Sequence, residues 1–193
     1  TTGGITANYN DLWDGAERPY LRAVFDTTKP LPRFNLSQEK DFRQFLQSRT
    51  GFNEEGWRTF RWQEYSSLED LTTTLREFLR KSGDTKTQFS TVESLRVTER
   101  SSSGRVLKLE VKTDRGTLTI EKDEIRDAFH APGSTLFYLE PQYNENRQLI
   151  GYTFVGGGLG HGVGMSQTGS YRLGKMGWDY RQILAFYFRG TTL

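Results

Sequence analysis

Ser67-Leu68-Glu69-Asp70-Leu71-Thr72-Thr73-Thr74-Leu75-Arg76-Glu77-Phe78-Leu79-Arg80-Lys81-Ser82-Gly83 reads as one amphipathic helix placed directly before a run of strands, and that pairing decides the fold class. Ser67 to Asp70 carries the residue types of a capped start. Leu68, Leu71, Leu75, Phe78 and Leu79 recur every three or four residues as an apolar stripe, and Lys81 with Gly83 marks the end. Downstream, residues 92–100, 105–112 and 116–121 read as strands. They are separated by Ser101-Ser102-Ser103-Gly104 and Asp114-Arg115-Gly116, both hairpin punctuation, which predicts an antiparallel meander.

Upstream of the helix, Thr59 to Tyr65 alternates polar and aromatic residues with period two and predicts a half-buried strand whose aromatics face the core. Asn35 with Gln38 resembles a capping box, and Phe42, Phe45 and Leu46 share one face, so residues 36–48 read as a further helix. Tyr20 to Phe25, bracketed by Pro19, Pro30 and Pro32, fits an edge strand. On the C-terminal side, residues 121–129 suit a short helix, and 135–140 and 149–155 suit two strands joined by a turn at Asn144-Glu145-Asn146. Helices are then expected from Met165 to Lys175, with Gly177 beyond its end, and from Tyr180 to Phe188 under an Asp179 cap. The expected class is α+β: one strand-rich domain over residues 1–193 with an antiparallel sheet, a helical subdomain inserted at 35–83, and two C-terminal helices.

Composition narrows the function. The 193 residues carry 26 Lys+Arg against 24 Asp+Glu, a net charge of +2, too balanced for a dedicated nucleic-acid binder. Apolar residues make up only 34%, but 13 Phe, 9 Tyr and 4 Trp supply enough buried area for a core. No apolar run approaches the ~18 residues of a membrane-spanning helix. With no cysteine and only His130 and His161, there is no disulfide, no thiolate nucleophile and no sulfur-based or multi-histidine metal site. No signal peptide is visible, and the abrupt start at Thr1-Thr2-Gly3-Gly4 reads as cut from something longer.

The most unusual stretch is Gly156-Gly157-Gly158-Leu159-Gly160-His161-Gly162-Val163-Gly164-Met165-Ser166-Gln167. Glycine at 156, 158, 160, 162 and 164 would leave one face of an extended segment bare, so that a backbone or ligand could lie flat on it; it equally suits positive φ angles. The opposite face would carry His161 in an apolar row just before a helix start, either as a structural hydrogen-bonding residue or as a functional one. A nucleotide loop fails on spacing: no complete G-x-G-x-x-G is present, and Gly169-x-x-x-x-Gly174-Lys175 meets Met176 where Ser or Thr is needed. Glu54, Glu55, Glu64 and Glu140 sit beside aromatics as candidate acids, and none stands out.

Gly158 to Gly169, then Gly177-Trp178-Asp179-Tyr180-Arg181-Gln182-Ile183-Leu184 and Tyr187-Phe188-Arg189-Gly190-Thr191, resembles the stage II sporulation protein D (SpoIID/LytB) family. Gly3-Gly4-Ile5-Thr6-Ala7-Asn8, Trp13, Pro19-Tyr20-Leu21, Phe60-Arg61-Trp62, Ser103-Gly104-Arg105-Val106, Ile125-Arg126 and Ser134-Thr135-x-Phe137 follow in the family's order. The resemblance is to the C-terminal two-thirds of that family's domain. It implies a bacterial cell-envelope, extracytoplasmic protein acting on peptidoglycan glycan strands. Two activities are implied: a lytic transglycosylase, in which one acid protonates the glycosidic oxygen and the sugar's 6-hydroxyl attacks the anomeric carbon, or a non-catalytic module that binds peptidoglycan or modulates a cell-wall amidase.

The family's catalytic glutamate belongs to a segment N-terminal to the Gly-Gly-x-Thr region, so the acid is expected from outside this chain, in a missing N-terminal segment of the same protein. The zinc of members with cysteine near that region has no counterpart here, and no cofactor is expected. His161, Ser166 and Gln167 are expected to support catalysis by lining a glycan groove. Gly160, Gly162, Gly164, Arg126, Thr6 and Ser134 are expected to bind substrate; Arg126 is read equally as a partner of the lactyl carboxylate or as a surface helix arginine, and Thr6 and Ser134 are better explained as turn caps than as groove donors.

Overall fold

The computed structural model describes residues 1–83 and 88–192. The opening helix forms as α2 (Leu68–Lys81) with a complete capping box: Ser67 Oγ accepts from Asp70 N at 3.0 Å while Asp70 Oδ2 accepts from Ser67 N at 3.2 Å. The meander forms as β2 (Val92–Arg100), β3 (Val106–Thr113) and β4 (Gly116–Glu121), ordered β2-β3-β4. A second antiparallel sheet has the order β1-β6-β5, from β1 (Trp62–Ser67), β5 (Phe137–Tyr143) and β6 (Leu149–Gly156). With α1 (Glu39–Gln47), α3 (Glu124–Ala128), α4 (Gln167–Lys175) and α5 (Tyr180–Tyr187), the domain is α+β as the sequence predicts. Among the described residues no helix is long and apolar enough to cross a membrane.

The β1-β6-β5 sheet lies between two cores, and strand alternation assigns the sides. Phe137, Tyr152 and Phe154 join Leu71, Leu75 and Leu79 of α2, the meander and Ile125 of α3 in one cluster. Tyr138 and Val155, one residue along, join Phe42, Phe45 and Leu46 of α1 with Ile5, Phe52 and Phe60 in the other. The two helices of the 35–83 stretch thus pack in different clusters.

Three local expectations are corrected. Tyr20–Phe25 is not a strand: Tyr20 and Leu21 lie in a turn and a bend, Leu21 O accepts from Tyr9 N and Val24 O from Thr6 N, and Phe25 meets Ile5 in an isolated bridge. Helix α1 begins at Glu39 rather than 36, because Asn35 and Ser37 bond each other in a local turn and Asn35 N bonds Asp41 Oδ2. Strand β1 starts at Trp62, and its aromatics divide: Phe60 before it is buried, whereas Tyr65 is 52% exposed and Ser66 turns inward.

Candidate functional site

Strand β6 ends at Gly156 and delivers the chain into the glycine stretch. Gly158, Gly160, Gly162 and Gly164 take φ of 82°, 89°, 76° and 80°. The period of two is therefore a period of left-handed turns, not a bare face on an extended strip, which corrects that half of the sequence reading. Backbone bonds pin the loop at four places: Gly158 N to Thr59 O, Leu159 N to Thr1 O, Gly160 N to Gly133 O, and Ala7 N to Gly162 O, all between 2.8 and 3.0 Å. The N-terminal residues run beside it, and a Cβ at Gly162 would enter the Arg105 guanidinium.

Between the pins the side chains face out. Leu159 is 57% exposed, and the His161 ring packs on Trp13 at 5.2 Å between centroids, with Trp13 on Tyr9 at 5.3 Å. Val163 N donates to His161 Nδ1 at 3.0 Å, which leaves the ring proton on Nε2. Partial burial, with help from Arg126 and Arg105 and against the pull of Asp123, holds His161 below the ordinary imidazole range, so the ring is neutral at pH 7. Tyr9, Trp13 and His161 form an aromatic step of the kind on which a flat sugar face stacks.

The other flank of the loop borders an open trench of about 1010 Å³. Gly158 and Leu159 form its rim beside Trp62 and Tyr65 of β1, Glu69 and Thr73 of α2, and His130 after α3. Trp62 fixes the rim by donating Nε1–H to Gly158 O at 2.7 Å.

Beneath the loop lies a buried polar network. Glu54, wholly buried, accepts from Thr2 N at 2.6 Å, Gly3 N at 2.8 Å, Gly4 N at 3.2 Å and the Ser166 hydroxyl. Asp26, also wholly buried, accepts at Oδ1 from Tyr187 OH at 2.7 Å and Asn53 Nδ2 at 2.9 Å, while its Oδ2 has no partner. Burial, reinforced by the neighbouring Glu54, pushes Asp26 up to about 7, and burial beside Asp26 pushes the Tyr187 phenol up. Arg105, buried completely, donates to Thr2 O and Ile5 O, and desolvation lowers it to about 10.

These placements sort the expected site residues. His161 and Gln167 are exposed and Gly160, Gly162 and Gly164 are partly so, all on one loop and the helix it enters. Ser166 does not line a groove: it is 2% exposed, and its hydroxyl caps α4 at Gly169 N and donates to Glu54. Thr6 and Ser134 are buried and bond backbone, Thr6 with Val24 N and Arg22 O, Ser134 with Gly157 O and Leu136 N. Arg126 is half-buried and bonds Asp123. Sequence reasoning did not reach Asp26, Tyr187 or the inward turn of Glu54, since nothing local separates a buried carboxylate from a solvated one. Trp13 was visible only as part of a motif.

Residues 7–164 match the family described as Domain of unknown function (DUF8618). The chain belongs to that family. Over its whole length it is also similar to the amidase enhancer of Bacillus subtilis, 25% identical over 207 positions that cover 28% of that protein. A shorter stretch is 44% identical over 43 residues to an uncharacterized protein of Brachyspira hyodysenteriae, covering 22% of this chain and 12% of that one. The chain thus spans well under a third of the relatives it matches.

Proposed function

We propose that this DUF8618 domain is a peptidoglycan-binding module of a bacterial cell-envelope protein, holding wall glycan for a partner amidase rather than cutting it. The observation that carries this reading is the exposed glycine loop set between an open trench and the Trp13–His161 step. Full-length similarity to an amidase enhancer supports the cell-wall setting and the amidase partner. The motifs resembling the stage II sporulation protein D family support kinship with that family.

The loop's geometry suits a sugar chain physically. Backbone pinning and fixed φ angles remove the ordering cost of binding, and the neutral His161 offers an Nε2–H donor beside an aromatic face. Cleavage, the resemblance's other implication, needs a proton donor on the open face. Glu54 is the loop's nearest tethered acid, and its oxygens are taken up by Thr2, Gly3, Gly4 and Ser166 in the interior. Glu54 is therefore not placed to act as that donor, whereas Glu64, Glu69, Asp70 and Glu77 line the open trench.

Sedimentation with purified, amidase-stripped glycan strands tests the reading. The wild-type chain is expected to co-sediment, with Trp13→Ala and His161→Ala each weakening retention by about tenfold, or about 1.4 kcal/mol. Retention that ignores both substitutions, or no retention, overturns it. Appearance of 1,6-anhydro ends by mass spectrometry would overturn the non-cleaving part.

A further inference from the structure

The trench beside the glycine loop follows the open edge of a sheet. Gln63, Glu64, Tyr65 and Ser66 all line it, and since consecutive strand residues point to opposite faces, what the four share is the outer edge of β1. β1 ends the order β1-β6-β5, and among the described residues the backbone of Gln63 to Ser66 bonds only β6. The opposite edge of the same sheet is closed: Arg100 and Arg43 donate to Phe137 O at 3.0 Å and to Leu139 O at 3.1 Å, and β5 carries Pro141. Glu69 and Glu77 of α2 line the trench with Glu64 of β1; all three are exposed, and among the described residues none forms an ion pair. Of the lining cations, Arg61 is spent on the carbonyls of Gly3, Phe45, Leu46, Ser48 and Phe60, so Arg58 and His130 stand against these glutamates and Asp70.

We infer that this edge is a docking site for an extended, basic segment of a partner protein, which adds to the sheet as a further strand beside β1 and sets its lysines or arginines against Glu64, Glu69 and Glu77. This goes beyond the proposed glycan binding and does not depend on it, since the Trp13–His161 step lies on the other flank of the loop. An edge strand presents unpaired N–H and C=O groups that a guest strand satisfies through its main chain, while the side chains on either side decide which guest is chosen. The six residues of β1 span about 20 Å, enough for a guest of similar length. Carboxylates without partners favour a cationic guest and disfavour an anionic carbohydrate. They also disfavour a second copy of β1, which would bring Glu64 against its own kind. Tyr65, exposed on the same edge, offers a ring to the stem and charge of a lysine or arginine.

Fluorescence anisotropy with the whole chain and three labelled peptides tests this: alternating Lys-Thr, alternating Glu-Thr, and the Lys-Thr peptide with its consecutive central amides N-methylated, which keeps the charge and leaves neither edge able to pair. The Lys-Thr peptide is expected to bind, with the Glu-Thr and the N-methylated peptides each weaker by about tenfold or more. The double substitution Glu69→Gln with Glu77→Gln, confined to exposed positions, is expected to lower Lys-Thr affinity about tenfold and to flatten its salt dependence, while Trp13→Ala leaves it unchanged. Equal binding of the lysine and glutamate peptides, no loss on N-methylation, no effect of the double substitution, or no capture of the lysine peptide overturns the inference and leaves the glycan reading standing. Displacement of the lysine peptide by stripped glycan strands assigns the trench to sugar and overturns it as well.

Discussion

Asp26 gives the most quantitative prediction. Its carboxyl is wholly buried beside Glu54, is pushed up to about 7 by burial first and that neighbour second, and leaves Oδ2 without a partner. In the unfolded chain the same group ionises near 3.8. The folded state therefore binds this proton more tightly, so Asp26 contributes stability that is complete below pH 4 and is lost as pH rises through about 7. At about 1.36 kcal/mol per pKa unit, the gap is worth up to about 4 kcal/mol, a large part of a domain's stability. Asp26→Asn mimics the protonated acid: its carbonyl can still accept from Tyr187 and Asn53, and no charge faces Glu54. Urea unfolding followed by tryptophan fluorescence at pH 4, 6 and 8 should show wild type losing stability across this range and Asp26→Asn holding steady, the variant becoming the more stable at pH 8. Parallel pH profiles in the two proteins would refute the reasoning, as would an Asp26→Asn variant that is weaker by the same amount at every pH.

Two other substitutions probe the loop and its support. Gly162→Ala places a Cβ at φ 76° and into the Arg105 guanidinium, so a loss of at least about 2 kcal/mol is expected in denaturant unfolding. Ser166→Ala removes the α4 cap and one donor to Glu54; the expected loss is about 1–2 kcal/mol, with amide exchange accelerating first in Gly169 and Ser170.

What the sequence revealed follows the range of the interactions involved. α2 and the meander are legible because a capping box, a 3.6-residue stripe and Gly-containing turns act within a few residues of each other. α4 and α5 are legible for the same reason: Ser166 and Asp179 cap them locally. The Tyr20–Phe25 segment misled because its apolar residues are held by bonds to Thr6, Asn8 and Gly4, not by a partner strand. The glycine period pointed to the right stretch, yet period two describes both an extended strip and alternate left-handed residues, and only the partners across the loop decide between them. Glu54 lay beyond local reasoning altogether, since its donors sit about fifty residues before it and 112 after.

That last separation has a consequence for how the molecule is assembled. Helix α2 and the β2-β3-β4 hairpins join neighbours in sequence and lose little chain entropy in closing, whereas the clasp at Glu54 gathers Thr2, Gly3 and Gly4 with Ser166 from the far end of the chain. The loop above this clasp is completed only when Thr2 to Gly4 and Ser166 meet at Glu54, so local pairing can build the interior before that loop takes its shape.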